Sequence, residues 1–180
     1  MKRFLDRFTT FDFVLIAMAA ALGIAIKPLI VPLVHIVTGP LMIPGGAVAG
    51  GFYMMWLVLG ADLVDRRGTG TLIGFVQAII VMASGVFGTH GILSIVTYTL
   101  PGIATDLAFW ALKRDETGKI RMFTGGVAAN ICGTLLSNLI FFRLPLVPLM
   151  LGLCAAALSG GLGGLLAWKI GAVIKKNVRI

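Results

Sequence analysis

Apolar and polar positions alternate along this chain in long blocks. Six apolar stretches occupy residues 11–26, 43–64, 69–87, 91–112, 122–142 and 146–174, with charged residues gathered in the gaps. A bilayer core of about 30 Å needs roughly 20 helical residues at 1.5 Å rise, and the stretches are of that order. The pattern predicts an all-α integral membrane protein with six transmembrane helices, residues 1–180 forming one membrane domain. After the first stretch, Lys27-Pro28 and Pro32 interrupt the apolar run. Each proline lacks a backbone donor and disfavours helix at the residue before it, so a break or kink is expected there. Residues 29–44 then read as a re-entrant or loop segment.

Charge sets the expected orientation. Lys2, Arg3 and Arg7 precede the first span. Arg66 and Arg67 follow the second, and Lys113, Arg114, Lys119 and Arg121 follow the fourth. Lys169, Lys175, Lys176 and Arg179 close the chain, while the opposite ends carry only Lys27 and Arg143. Positive charge marks the cytoplasmic side, so both termini are expected there. The acids Asp6, Asp12, Asp62, Asp65, Asp106, Asp115 and Glu116 also gather toward that side, leaving the outer half without a carboxylate. For Asp106 an ion pair with Arg66, Lys113 or Arg114 is expected. The basic start leads into a stretch too long for a signal-peptide core and without a clear cleavage site, so the first span is expected to be retained.

Composition supports membrane insertion: 58% hydrophobic and 12% charged residues do not suit a soluble domain of 180 residues. The net charge of +8 lies at span ends and is not interleaved with aromatics along a face, which argues against a nucleic-acid partner and for anchoring at lipid headgroups. Cys132 and Cys154 fall in apolar spans without a metal-ligand spacing. There is no HExxH, no GxSxG and no Walker A loop; the Gly-rich residues 85–91 lack its Lys-Ser/Thr ending. No catalytic residues, cofactor or metal are assigned, and any ATP hydrolysis must come from partners.

Polar groups at membrane depth are costly unless they meet a partner or face a cavity. Lys27, His35, Tyr53, Trp56, Gln77, His90, Tyr98, Asn138 and Arg143 are therefore candidate substrate-binding residues, with Ser84 also in the outer half. Each has a simpler reading: Lys27 as a snorkelling cation, Tyr53 and Trp56 as core aromatics, Asn138 as a helix bridge, His90 as a solvated turn residue and Arg143 as an interface anchor. Asn130, among Gly125, Gly126, Ala128 and Ala129, reads first as helix-helix glue.

Small residues form stripes at helical spacing. Gly152, Ala156, Gly160 and Gly164 in the last span, and Gly46 with Gly50 in the second, are expected to pack within the chain. The stripe Ala17, Ala21 and Ala25 in the first span is open to either internal packing or intermolecular docking. With these features the chain resembles the S components of energy-coupling factor (ECF) transporters, small membrane subunits that capture micronutrients for ATP-driven import. The resemblance covers nearly the whole chain, and within the family residues 43–67, 77–88 and 98–110 look most similar to the hydroxymethylpyrimidine/thiamine-associated subgroup.

The resemblance implies a prokaryotic plasma-membrane protein with a transmembrane coupling subunit and two ATPase subunits as partners, docked through Ala17, Ala21 and Ala25. Without acids in the outer half, cationic thiamine is disfavoured and a neutral or anionic ligand, such as a pyrimidine precursor, is expected. An anionic tetrapyrrole such as haem, with His35 or His90 on iron, is the alternative ligand. Two other classes stay open: an autonomous secondary transporter or channel, against which the lack of an internal repeat argues, and an assembly subunit whose polar groups only join helices.

Overall fold

A computed structural model describes residues 4–85, 91–112 and 118–177. After a 3-10 turn at Phe4–Arg7, helix α1 runs Thr10–Thr38 and α2 Gly45–Val64, joined by a 3-10 turn at Gly39–Leu41. Helices α3 (Thr69–Ser84), α4 (Ser94–Ala111) and α5 (Lys119–Ser137) follow. A π-helical turn at Asn138–Phe142 continues α5, and α6 runs Leu146–Asn177. Five helices are long and apolar enough to cross a membrane, whereas α3, with 16 residues, spans roughly 24 Å. Five to six apolar helices make this an integral membrane protein.

The expected break in α1 does not occur. The helix continues through Pro28 and Pro32 for 29 residues, roughly 43 Å, so residues 29–38 are helical, and of the expected loop only 39–44 is non-α, a 3-10 turn followed by a left-handed Met42 (φ 55°) and two residues leading into α2. Each proline removes one backbone donor, but unwinding two turns in lipid would leave many more backbone groups unpaired. Continuity is the smaller cost.

Helix α2 is the most buried span, packed by α1, α3, α5 and α6. Its first turns are built from Gly45, Gly46, Ala47, Ala49, Gly50 and Gly51, which let neighbouring backbones come close. A Cβ on Gly51 would run into the backbone of Ser159, one on Gly126 into the Gly160 carbonyl, and one on Gly164 into the Met122 carbonyl. The last-span stripe therefore packs largely inside the chain, apart from Gly152, which faces open space. Polar bonds reinforce the seam: Asn130 Nδ2 donates to the Ala47 and Ala156 carbonyls, both at 2.9 Å, and Ser159 Oγ accepts from Gly51 N–H at 2.9 Å while donating to the Val48 carbonyl.

Charged contacts collect at one end of the bundle. Arg66 Nε meets Asp12 at 2.7 Å, Arg121 meets Asp65 at 2.9 Å, and Lys175 meets Asp62 at 2.5 Å. Asp12 and Thr9 form a reciprocal cap on the start of α1. Asp106, for which an ion pair is expected, caps α3 from α4. Its carboxylate accepts from Gly70 N–H at 2.9 Å, Thr71 N–H at 2.8 Å and the Thr71 hydroxyl at 2.6 Å. A helix start has unpaired N–H groups and partial positive charge, so an adjacent carboxylate is stabilised there. Of the cations expected to pair with it, Lys113 and Arg114 lie outside the described residues.

Candidate functional site

At the end of the bundle away from the ion pairs, α1, α2, α5 and α6 enclose a cavity of about 500 Å³. Helix α1 contributes Lys27, Val31 and His35, which recur every four residues and so share one face. That face continues the buried stripe of Ala20, Gly23 and Ile24, so the packing that holds α1 in the bundle also turns Lys27 inward. Pro44 and the first turn of α2 form another wall together with Tyr53, and α6 supplies Pro148, Leu149 and Gly152. Helix α5 and its π turn supply Gly133, Thr134, Ser137, Asn138 and Phe141. The turn is held by Arg143 N–H bonding to the Asn138 carbonyl at 2.8 Å and by Leu144 N–H bonding to Asn138 Oδ1 at 2.9 Å. Such π-helical turns often re-aim side chains at functional sites.

Lys27 is the electrostatic centre. Its Nζ donates to Tyr98 Oη at 2.7 Å, and lies 4.5 Å from the Tyr98 ring centroid and 5.4 Å from that of Tyr53. The rings stabilise an ammonium through their electron-rich faces. Among the described residues no carboxylate pairs with it, and none lines the cavity. Beneath the main cavity a chamber of about 40 Å³ is walled by Gly23, Gln77, Thr97, Tyr98 and others. Lys27, Tyr53, Gly133 and Ser137 line both spaces.

The other polar groups at the cavity have one side already taken. His35 Nδ1 accepts Gly45 N–H at 3.2 Å, so a neutral ring carries its proton on Nε2. Tyr53 Oη donates to the Gly46 carbonyl at 2.9 Å. The structure thus brings Lys27, His35, Tyr53, Gln77, Tyr98 and Asn138 of the expected set to these two adjoining spaces, which share four lining residues. Trp56 is not among their lining residues; it packs against the hydrophobic core of Leu57, Val58 and Ile73, where large apolar neighbours accept its ring. Arg143 is also outside the lining, exposed on a left-handed turn with φ of 47°. His90 lies outside the described residues.

Sequence reasoning did not single out Thr134 and Phe141, or Ser137 as a cavity residue. A helical wheel projected from α5 misplaces residues beyond Ser137, because the π turn shifts the register.

A family model described as "ABC-type cobalt transport system, permease component" matches residues 11–132, more than half of the chain. The chain belongs to this family. Among solved structures, the crystal structure of an S-component of an ECF transporter superposes with a TM-score of 0.77 over 95% of this chain and 88% of that one, at 15% identity. The chain thus has the S-component fold and is a multi-pass membrane transport protein. No curated protein matches it.

Ala17, Ala21 and Ala25 are all exposed, whereas α1 buries Ile16, Ala19, Ala20, Gly23 and Ile24. Internal packing does not account for the stripe.

Proposed function

We infer that the chain is the substrate-capture subunit of an ECF-type importer for a small, neutral or anionic organic micronutrient. The carrying observation is the cavity itself: about 500 Å³, lined mostly by apolar groups, with the ammonium of Lys27 uncompensated by any carboxylate among the described residues. A vitamin precursor such as a pyrimidine is compatible with this size and polarity, and the S-component fold supports the capture role. The bundle is taken to hold six spans with both termini cytoplasmic, placing the ion-paired end inside and the cavity mouth outside. The exposed stripe Ala17, Ala21 and Ala25 is the docking face for a transmembrane coupling subunit, which in turn carries two ATPase subunits. The chain itself performs no chemistry.

The family description names cobalt, but a divalent cation suits this cavity poorly. Among the described residues His35 is the one lining residue of the types His, Cys, Asp and Glu, and no group of three such side chains could hold a metal ion. Cobalt prefers several nitrogen or oxygen ligands and would be repelled by Lys27. Haem with His35 on iron meets a different obstacle: a metal-ligating Nε2 must be unprotonated, which moves the proton to Nδ1, where Gly45 N–H already donates.

The test is to express the chain with a coupling subunit and both ATPases, isolate the assembly, and examine metabolites retained by the chain alone using native mass spectrometry. Co-isolation of all subunits and a retained organic compound is the expected result. Tight Co²⁺ binding with no organic ligand would overturn the substrate reading. Substrate flux through the purified chain without ATPases would establish an autonomous carrier instead.

A further inference from the structure

Three side chains at the cavity present hydrogen-bond donors, one of them charged. Lys27 has no acceptor capacity at all, and its ammonium retains protons beyond the one given to Tyr98. Asn138 is 7% exposed and its Oδ1 is taken by Leu144 N–H, which fixes the amide so that the remaining group is the NH₂ donor. His35 uses Nδ1 as an acceptor for Gly45 N–H, leaving the Nε2–H donor. Lys27, Asn138 and His35 thus turn donors toward the cavity, whereas Tyr53 Oη, its proton spent on the Gly46 carbonyl, is left as an acceptor. An anion needs donors alone.

Position adds the second constraint. Lys27 stands where the main cavity meets the chamber of about 40 Å³, room for little more than a water-sized group. The larger space above is walled by Val31, Phe141, Leu149 and other apolar groups. A ligand fitting both spaces has a small charged end and a larger apolar body.

We propose that the captured ligand is an organic monocarboxylate, bound with its carboxylate on Lys27 at the neck between the two spaces and its apolar or aromatic body in the outer cavity. This rests on the capture reading above and narrows it. One ammonium without a counter-ion balances a single negative charge, so the neck is neutral only when such a ligand is bound.

The test uses the purified full-length chain and matched pairs of probes that share a body: 4-aminobenzoate and 4-aminobenzamide, nicotinate and nicotinamide, biotin and biotin amide. Thermal stabilisation and calorimetry should show binding by at least one acid and at least tenfold weaker binding by its amide. Lys27→Met should abolish acid binding, Lys27→Arg should retain part of it, and both should keep a cooperative melt; Asn138→Leu should weaken it severalfold. Equal binding of acid and amide, or acid binding that survives Lys27→Met, overturns the proposal. Tight binding of a neutral pyrimidine without any acid also overturns it while leaving the capture reading intact. Silence from every acid, amide and pyrimidine counts against both.

Discussion

Lys27 is expected to be a residue kept at a cost to stability. An ammonium among Tyr53, Tyr98 and apolar walls, with no carboxylate nearby among the described residues, gives up hydration that two ring faces and one hydroxyl only partly replace. Lys27→Met should therefore raise the stability of the empty protein, by roughly 1–2 kcal/mol in denaturant titration, while removing the ligand's counter-charge. A fall in stability would mean that the Tyr98 bond is a structural tie. Asn130 should behave in the opposite way. It is 1% exposed, and its two bonds to Ala47 and Ala156 join α5 to α2 and α6. Asn130→Ala should cost about 1–2 kcal/mol. Asn130→Asp should cost more, because a carboxylate in that place would face two carbonyl oxygens.

At the scale of elements, α1 serves two surfaces. Its inward stripe runs from Ile16 to His35 and supplies one cavity wall; its outward stripe presents Ala17, Ala21 and Ala25. Ala21→Trp should leave the melting temperature and ligand binding of the isolated chain nearly unchanged yet abolish uptake by the assembled transporter, because that face is exposed among the described residues. Loss of ligand binding in the variant would remove the docking assignment. The α3 cap is a second test at this level. Asp106→Ala strands the N–H groups of Gly70 and Thr71 and should lower stability by about 1–2 kcal/mol, with Asp106→Asn intermediate.

Hydropathy made the helices and most of their ends readable, since a bilayer allows few alternatives to a helix. It misread Pro28 and Pro32, because proline rules derived for helices in water weigh one lost donor against hydration that lipid does not offer. The site was readable as a set of costly polar residues but not as a shape. Trp56 and Tyr53 lie three residues apart on α2, and only packing decides that one meets the core and the other the cavity.

For the whole molecule, the ends of the bundle differ in what lipid and water ask of them. One end ties α1 to α2 through Arg66 and Asp12, α2 to α5 through Asp65 and Arg121, and α2 to α6 through Asp62 and Lys175. The other end has Lys27 turned inward, Arg143 exposed and a cavity without acids. Basic residues are retained on the cytoplasmic face during insertion, so the ion-paired end should lie inside and the cavity should open outward. Single cysteines placed in a Cys132→Ala, Cys154→Ala background provide the check. A cysteine at Ile92, which is 80% exposed, should react with a membrane-impermeant thiol reagent in intact cells. One at Arg67, exposed on the turn between α2 and α3, should react only after permeabilisation. The reverse pattern would turn the cavity mouth toward the cytoplasm, where a substrate-capture role for import makes no physical sense, and the functional reading would fall with the topology.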